Sequence, residues 1–409
     1  NIFCWDDNKK IRKKSKILKF PLNKFWHKKK HIDRIIISPG IDINKCKIKN
    51  YLNKNLKKII TDLDIFFEIN KHATIISITG TNGKSTTCKI IEKILKKSNY
   101  KVRVVGNIGK PILDICKSKI RKNNTFIIEA SSYQLQYSKL FRSKHAAILN
   151  ISPDHLERHK NIKNYIMVKL KIFFAQGRSD YSYINLNNKY SKFIKKIFKK
   201  MKLKSRLILV DQSKYNFLLK KIDNKYFKSK GNIENMIFSY EIAKNLKIKN
   251  RNIIEALNNF RGLSHRQEAI LSNKKLLCIN DSKATSFDAC LQSLSNYENI
   301  YWIVGGLPKY KDHIYLQNVK TKIKKAYIVG KNTNFFINQL KNQIPYTISK
   351  NIKKAVDDIY KDLQKVDKLR NTVLLSPAAA SFDQFNNFES RGAYFKKLIN
   401  TKFGKNFNV

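Results

Sequence analysis

The chain has 409 residues, of which 42% are apolar and 28% are charged, so it can form two or three domains with buried cores. Its 84 lysines and arginines exceed its 29 aspartates and glutamates by 55 charges. No apolar run approaches the ~18 residues that a membrane-spanning helix needs, which excludes such a helix.

The large positive charge has two interpretations. A polyanion partner would suit a strongly basic chain. The lysines, however, are spread along the whole chain beside many Asn and Ile residues, as the codons of an AT-rich genome would produce. We therefore favour solvated lysines over nucleic-acid binding.

The cysteines show neither metal-site nor disulfide spacing. None of the six belongs to a Cys-x-x-Cys pair, and most lie in apolar segments. This pattern predicts reduced thiols in a cytoplasmic protein. The six residues are Cys4, Cys46, Cys88, Cys116, Cys278 and Cys290.

The first part of the chain predicts a small α/β domain. Ile2–Trp5 predicts a short strand that leads into Asp6, and Arg34–Ser38 predicts a second strand closed by a Pro-Gly turn. An acid at a strand end and such a turn suit a nucleotide crevice at the carboxyl edge of a parallel sheet. Acids and turns on an ordinary surface are the open alternative.

The most informative stretch is a glycine loop between a predicted strand, Ala73–Ile78, and a predicted helix, Thr87–Lys97. Backbone N–H groups at a helix N-terminus bind anions, so the loop predicts a phosphate site. Lys84 would reach the outer phosphates and Ser85 would place a hydroxyl on Mg²⁺. The full P-loop pattern needs a glycine where Ile78 stands, so an ordinary strand-to-helix turn remains the alternative.

Three further strands are predicted to end in polar groups. Lys101–Val105 leads to a Gly-Asn turn, Thr125–Glu129 ends in an acid, and His145–Asn150 runs into His155. Strand ends are where α/β sheets bind ligands. Glu129 is therefore a candidate Mg²⁺ ligand, although it could instead cap the next helix.

Lys169 lies among apolar residues of a predicted helix, 14 positions after His155. A buried lysine tends to lose its proton, and a neutral amine can add CO₂ to form a carbamate. The alternative is a side chain that extends its amino group to solvent. A later helix is predicted at 231–243, with Asn232 in an N-cap position.

The last part of the chain alternates strands and helices. Predicted strands are Leu276–Asn280, Ile300–Gly306, Lys325–Gly330 and Asn371–Ser376. This alternation predicts a parallel, doubly wound sheet.

Seven short motifs occur together and in order along the chain. They are Thr79–Thr86, Gly106–Gly109, Glu129–Leu135, Asn150–His155, His265–Arg266, Asn280–Thr285 and Ser376–Phe385. Together they resemble the Mur ligases of bacterial cell-wall synthesis, over nearly the whole chain. The last two motifs, with Phe388–Gly392, are most similar to the members of this family that add D-glutamate.

This resemblance implies three domains. They are a truncated Rossmann-like domain at 1–68 for the UDP substrate, a central ATP-binding parallel sheet at 69–262, and a Rossmann-like domain at 263–409 for the amino acid. It implies that ATP phosphorylates the alanyl carboxylate of UDP-N-acetylmuramoyl-L-alanine, and that the amine of D-glutamate attacks the acyl phosphate. It also implies two Mg²⁺ ions. We expect a cytoplasmic protein that is a monomer.

The resemblance also implies roles for individual residues. ATP would be bound by Gly80, Thr81, Asn82, Gly83, Lys84, Ser85, Thr86, Asn235 and Arg266. Ser85 and Glu129 would hold the first Mg²⁺, and His155 with the carbamate of Lys169 would hold the second. Asn107 would contact the muramoyl substrate near its acyl group. The UDP part would meet Asp6, Ser38, Pro39 and Gly40, and D-glutamate would meet Ser381 and Phe388, with Lys309 and Lys331.

Two features depart from the family pattern. Leu307 stands where many relatives carry an acid for the ribose. The family's first strand, its glycine-rich loop and the next helix, about one strand–helix unit of roughly 30 residues, have no counterpart. A sheet without an inner strand exposes apolar surface and unpaired backbone groups. We therefore expect a fragment or a misplaced start rather than a truncated domain.

Three alternative functions remain open. One is another ligase of the same scaffold, such as a different Mur ligase or a folylpolyglutamate synthetase. Another is a basic P-loop protein that binds nucleic acid, and the third is an inactive protein that binds ATP but not the UDP substrate. The segment Ser381–Phe388 favours the D-glutamate ligase, because it lies where the resemblance implies that the amino acid is chosen.

Overall fold

The computed structural model of the chain describes residues 5–8, 32–107, 111–117, 124–308, 313–365 and 370–404. It divides into two compact units, Asn1–Phe260 and Arg261–Val409. The strands are β1 (Ile35–Ile36), β2 (Ile59–Ile60), β3 (Thr74–Thr79), β4 (Val102–Gly106), β5 (Thr125–Glu129), β6 (His145–Ile148), β7 (Tyr181–Asn185), β8 (Arg206–Val210), β9 (Glu268–Ser272), β10 (Leu276–Asn280), β11 (Ile300–Gly305), β12 (Ile323–Val329), β13 (Tyr346–Lys350) and β14 (Asn371–Leu375).

The helices alternate with these strands. They are α1 (Lys49–Lys54), α2 (Asp62–Ile69), α3 (Lys84–Lys97), α4 (Ser132–Gln136), α5 (Leu156–His159), α6 (Ile162–Leu170), α7 (Ser191–Lys200), α8 (Asn216–Leu219), α9 (Lys230–Asn245), α10 (Asn250–Asn258), α11 (Phe287–Asn296), α12 (Thr333–Leu340), α13 (Ile352–Leu363) and α14 (Phe388–Phe403). In the part of the chain that the structure describes, no helix is long and apolar enough to cross a membrane.

The strands form a small N-terminal sheet and two six-stranded sheets. β1 and β2 pair in parallel, and the second sheet has the order β4-β5-β3-β6-β7-β8 with every pair parallel. The third sheet has the order β13-β12-β11-β14-β10-β9. This architecture confirms the predicted α/β class, whereas the three domain boundaries given above stay predictions.

Each long sheet is covered on both faces, which is why its strands read as continuous apolar runs. In β3, Ile75 faces one core, whereas Ile76 and Ile78 face the other, which includes Cys88 and Ile91 of α3. All five are at most 2% exposed. Alternating faces of one strand therefore anchor helices on both sides of the sheet.

The strands of the N-terminal part are shorter than predicted. Of the predicted strand Arg34–Ser38, only Ile35–Ile36 forms a strand, although the Ile37 amide also donates to the Ile60 carbonyl at 3.2 Å. Ser38 begins a turn in which the Ile41 amide donates to the Ser38 carbonyl at 3.0 Å. The predicted strand at 2–5 lies outside the described residues except for Trp5, which is not in a strand.

The third sheet is not wholly parallel. β9 pairs antiparallel with β10 at the sheet edge, and the sequence pattern did not predict this strand. None of its five residues is buried, so it lacks the apolar run that marks the inner strands. The parallel prediction is correct for the other five strands.

Two helix starts differ from their predictions. α3 begins at Lys84, three residues before the predicted start at Thr87, because the glycine loop leads directly into the helix. α9 begins at Lys230 and is capped by Ser229, whose side chain accepts from the Asn232 amide. The prediction of Asn232 as the N-cap is therefore wrong. The hydroxyl of Ser229 is as good an N-cap acceptor as the amide oxygen of Asn232, and both residues lie within three positions of the helix start.

Candidate active site

The candidate site lies at the carboxyl edge of the second sheet, where β3 ends in the glycine loop. Gly83 is the N-cap of α3 and has φ +81°. A Cβ at this position would lie 2.1 Å from the Oδ1 atom of Asn235. Both the backbone conformation and the close approach of Asn235 therefore require glycine here.

The lysine that follows lies against the loop. Lys84 Nζ donates to the carbonyls of Gly80 and Thr81 at 2.9 and 2.8 Å. Ser85 and Thr86 are buried in the first turn of α3. The loop thus has a lysine ammonium and a helix N-terminus beside each other, the two features that bind nucleotide phosphates.

Side chains from other elements hold the loop in place, and the sequence did not assign this role to them. Thr81 Oγ1 donates to the Ser152 carbonyl at 3.1 Å and lies 3.2 Å from the Tyr165 hydroxyl. The Asn82 amide donates to Asn150 Oδ1 at 2.9 Å. These contacts fix the loop before any phosphate binds, which is what preorganised electrostatic binding requires.

The amide of Asn150 is held in turn by a carboxylate. Asn150 Nδ2 donates to Glu234 Oε1 at 2.8 Å, and burial raises the pKa of Glu234. Glu234 precedes Asn235 on α9, and Asn235 Oδ1 accepts from Thr87 Oγ1 at 3.2 Å. The start of α9 therefore contacts both the loop and the first turns of α3.

Strand register brings the acid of β5 to the same edge. Glu129 pairs with Ile78 of β3 on one side and with Gly106 of β4 on the other. Its Oε1 atom accepts from Asn107 Nδ2 at 3.0 Å. Its Oε2 atom is buried and has no hydrogen-bond partner among the described residues.

A buried carboxylate oxygen without a partner is costly unless something else binds it. The alternative role of Glu129, as a helix cap, is wrong, because Ser131 caps α4 by accepting from the Gln134 amide. The free oxygen of Glu129 is a hard donor of the kind that Mg²⁺ prefers. The residue present therefore fits a divalent cation at this edge.

Lys169 is buried against the glycine loop rather than extended to solvent, so the alternative of a solvated amine is wrong. Its side chain is 1% exposed, and Nζ donates to the Gly80 carbonyl at 2.9 Å. It lies 4.6 Å from the centre of the Tyr165 ring. Burial, with the nearby charge of Lys84, holds the pKa of Lys169 well below its usual value, which favours a neutral amine.

His155 lies before α5 in the left-handed region, with φ +53°. Its Nδ1 atom is 3.0 Å from the Tyr133 hydroxyl and its Nε2 atom is 3.3 Å from Asp154. One turn later, His159 Nε2 lies 3.0 Å from the Ser132 hydroxyl, and burial lowers the pKa of His159 to about 4. Both histidine rings thus lie near the Tyr133 ring, in tilted contacts with centroid distances of 4.9 and 5.9 Å.

No group of three or more His, Cys, Asp or Glu side chains forms a metal cage within the described residues. This is compatible with Mg²⁺, which usually takes one or two carboxylates and completes its shell with phosphate oxygens and waters. Four cysteines of the described part, Cys46, Cys88, Cys278 and Cys290, are free thiols.

The candidate residues of the second unit lie in segments that flank the strands of the third sheet. Ser381 is buried after β14, and Phe388 begins α14 with Lys283 Nζ 5.2 Å from the centre of its ring. Lys331 is exposed after β12, and its amide donates to Asp383 at 3.1 Å. Arg266 precedes β9, where its amide donates to the Leu263 carbonyl at 3.3 Å. Lys309 lies outside the described residues.

The N-terminal candidates lie in turns. Asp6 Oδ1 accepts from the Asn8 amide at 2.7 Å. Pro39, which is half-buried, and Gly40, which is exposed, form the turn after β1. Leu307, the departure after β11, is 46% exposed, and its amide donates to the Ala380 carbonyl at 2.9 Å.

An inner strand of the parallel sheet ends in a glycine loop, a lysine stands at the helix start, and the neighbouring strand ends in a buried acid. These features define an α/β protein with a phosphate-binding site. Comparison with known proteins narrows this class. A family model described as the Mur ligase middle domain matches residues 78–254. Together with the relatives described next, which match almost the whole chain, this result shows that the chain belongs to the Mur ligase family.

Relatives match almost the whole chain. Across 98% of its length the chain is 35% identical to a UDP-N-acetylmuramoylalanine--D-glutamate ligase of Rickettsia bellii (strain RML369-C), covering 92% of that protein. Ligases with the same description from Rickettsia prowazekii (strain Madrid E) and Clostridioides difficile (strain 630) are 37% and 32% identical, over 90% of this chain and 84% of each relative.

Solved structures share the fold at low identity. The MurF ligase of Thermotoga maritima in complex with ADP aligns with a TM-score of 0.57 and 14% identity, over 90% of this chain and 98% of that chain. A bifunctional folylpolyglutamate synthase/dihydrofolate synthase of Yersinia pestis, complexed with AMPPNP and Mn ion, also aligns with a TM-score of 0.57 and 14% identity. The alignment covers 82% of this chain and 92% of that chain.

Proposed function

We propose that the chain is an ATP-dependent ligase that adds D-glutamate to UDP-N-acetylmuramoyl-L-alanine in peptidoglycan synthesis. The observation that carries this function is the similarity, over 90–98% of the chain, to relatives that all bear this activity in their names. The glycine loop with Lys84 supports ATP as the phosphate donor, because both phosphate-binding features lie at one sheet edge.

The reaction proceeds in two steps. The alanyl carboxylate attacks the γ-phosphorus of ATP, which forms an acyl phosphate and releases ADP. The amine of D-glutamate then attacks the acyl carbonyl, the amide bond forms, and phosphate leaves. Negative charge collects on the phosphoryl oxygens in both steps, so fixed cations and oriented donors stabilise the transition states.

The residues at the loop divide this work. Lys84 binds the β- and γ-phosphates, and the backbone amides at the start of α3 face the anion. Asn107, oriented by Glu129, contacts the muramoyl substrate near its acyl group. Ser85 and Glu129 would hold one Mg²⁺, and His155 with Lys169 would hold the second. When bound, these ions neutralise the phosphoryl oxygens and position them for attack.

Lys169 takes part as a carbamate. Its neutral amine adds CO₂ with the loss of one proton, which turns a buried base into an anionic oxygen ligand. Burial at 1% exposure and the contact of Nζ with the Gly80 carbonyl, beside the phosphate loop, support this proposal.

The remaining candidate contacts complete the proposal. Asn235 meets the adenine, and Arg266 meets the ATP phosphates. Asp6 and residues 38–40 bind the UDP part, and Ser381 and Phe388, with Lys309 and Lys331, bind D-glutamate. We further propose that the protein is a cytoplasmic monomer with domains at 1–68, 69–262 and 263–409.

The test is ATP-dependent phosphate release by the purified chain with Mg²⁺ and UDP-N-acetylmuramoyl-L-alanine. D-Glutamate is compared with L-glutamate, L-lysine, glycine and L-alanine. We expect release that needs both the UDP substrate and D-glutamate. Release with another amino acid, or release without the UDP substrate, would reject the assignment.

A further inference from the structure

One buried cation of the second unit has no role in the proposed mechanism. Arg391 lies in the first turns of α14, three residues after Phe388, and its side chain is 2% exposed. A positive charge near a helix N-terminus is opposed by the helix dipole. Its position therefore needs an explanation other than the stability of α14.

The guanidinium has only neutral acceptors among the described residues. Nε donates to Ser282 Oγ at 3.0 Å, and Nη2 donates to the Ser282 and Ala379 carbonyls at 2.7 and 3.0 Å. Nη1 is buried without a hydrogen-bond partner in the described part of the chain. Burial lowers the pKa of Arg391 to about 10, so the side chain keeps its charge at neutral pH.

These contacts connect the loops that follow three neighbouring strands of the third sheet. Ser282 follows β10, Ala379 follows β14, and Nη1 faces Gly306 after β11, where a Cβ would lie 3.3 Å from it. The loops after β11 and β14 are also joined by reciprocal hydrogen bonds between Leu307 and Ala380, each 2.9 Å long.

The same network reaches two of the residues proposed for D-glutamate, Phe388 and Ser381. Ser282 Oγ accepts from Arg391 and donates to the Phe388 carbonyl at 2.8 Å. Ala379 lies two residues before the buried Ser381. Arg391 is therefore linked to the backbone on both sides of the segment Ser381–Phe388.

We propose that Arg391 is the positioning residue of the amino-acid subsite. Its hydrogen bonds set the spacing of Ser381 and Phe388, and its buried charge makes the subsite attractive to an amino acid with two carboxylates. This inference rests on the proposed function. Its physical basis is the planar guanidinium of arginine, which here makes three hydrogen bonds from two nitrogens. A lysine ammonium cannot reproduce this geometry. Asp383 is the nearby carboxylate that favours the charged form of Arg391, but it makes no ion pair with it among the described residues. A buried cation without such an ion pair is retained at a cost, which an anionic substrate would offset.

The test compares Arg391→Lys and Arg391→Met with the wild type by steady-state kinetics in each of the three substrates. We expect KM for D-glutamate to rise about 10-fold in the lysine variant and about 100-fold in the methionine variant, as for loss of charge-assisted hydrogen bonds. KM for ATP and for the UDP substrate should stay within about twofold. Arg391 donates its hydrogen bonds to Ser282 and Ala379, and neither residue is proposed to bind these two substrates.

One control variant and one further test variant separate positioning from general damage. Lys397→Met removes an exposed charge from the same helix and should leave all three KM values unchanged. Ser282→Ala keeps Arg391 but removes the link to Phe388, and should raise KM for D-glutamate several-fold. Thermal unfolding of each variant reports whether it folds, and if the methionine variant does not, the lysine and Ser282 variants carry the test.

The outcomes are distinct. A selective rise of KM for D-glutamate in the Arg391 and Ser282 variants supports the inference. Equal rises for all three substrates, or no rise for D-glutamate, overturn it while leaving the proposed function intact. A wild type that does not use D-glutamate overturns both.

Discussion

Two of the three buried side-chain polar atoms without a partner in the described residues belong to functional candidates, Glu129 Oε2 and Arg391 Nη1. A folded protein normally satisfies such atoms. Both atoms lie near the carboxyl edges of the two large sheets, and we propose that a ligand completes each group. The third such atom, Asn70 Oδ1, is at a helix C-terminus, where the Asn70 amide nitrogen already donates to the Phe66 carbonyl.

Lys169 offers a test of the carbamate. In Lys169→Ala we expect loss of activity and partial recovery with a short carboxylate such as acetate, because a free carboxylate can occupy the space of the missing anionic ligand. Lys163→Ala, an exposed position on the same helix, is the matched control and should keep full activity. Full activity of the Lys169 variant without any additive would refute the carbamate.

Lys84 offers a test of the phosphate loop. In Lys84→Ala we expect kcat to fall on the order of 10³-fold or more, because the charge that stabilises the transferring phosphoryl group is lost. Lys96→Ala, on the solvent side of the same helix, should change kcat little. The two variants are compared by phosphate release at saturating substrates, and similar kcat values would contradict the assigned role.

At the scale of elements, one carboxylate joins α2 to the loop after α4. Asp64 is fully buried, and its Oδ1 atom accepts from the Ser138 hydroxyl and from the amides of Lys139, Leu140 and Phe141 at 2.7–3.0 Å. Its Oδ2 atom accepts from the Thr61 amide at 2.9 Å. The acid therefore satisfies the backbone of two elements at once.

Asp64→Asn should lower the free energy of unfolding by roughly 2–4 kcal/mol, because an amide places a donor among donors. Glu68→Gln, on the same helix, removes only a partly exposed ion pair with Arg34 and should cost less than about 1 kcal/mol. Urea unfolding of both variants measures the difference. Equal, small effects would show that the Asp64 contacts do not stabilise the fold.

The first residue of β6 predicts a pH dependence. His145 is 2% exposed, its Nδ1 atom lies 2.8 Å from the Tyr183 hydroxyl, and it stacks on Tyr181. Burial, with the nearby charge of Lys144, lowers its pKa to about 4. The unfolded chain therefore takes up a proton first as the pH falls below about 6.5, and stability decreases between pH 6.5 and 4.

We expect this histidine to reduce the free energy of unfolding by about 2 kcal/mol between pH 7 and pH 5. His145→Gln keeps a polar side chain but does not titrate. The free energy of unfolding of this variant should therefore fall by about 2 kcal/mol less over the same pH range. Urea unfolding at both pH values checks the prediction. An identical pH dependence in the two proteins would contradict it.

At the scale of the whole molecule, the net charge of +55 is the feature that the ligase proposal does not use. If the lysines only solvate the surface, the protein should show no measurable binding to DNA or RNA at physiological salt. Binding detected by fluorescence anisotropy that weakens steeply with added salt would instead indicate a nucleic-acid site. The two results decide between codon bias and a polyanion partner.

The sequence alone determined the local units of this protein. A strand, a glycine loop and a helix start are adjacent in the chain, and their geometry follows from backbone conformation, so the phosphate loop at 80–85 was predictable. Apolar runs likewise predicted the inner strands, because both faces of these strands are buried. The half-exposed edge strand β9 gave no such signal, and its antiparallel pairing was missed.

Only the tertiary structure decided which remote groups meet. Asn150 with Glu234, Asp64 with the loop after α4, and Arg391 with Ser282 are separated by 74 to 109 positions in the chain. No periodicity in the sequence encodes such pairs, since strand order and register set them. Glu129 is an example. Its partner could not be assigned from the sequence, because the register of β4, β5 and β3 is what places it beside Asn107 and the glycine loop.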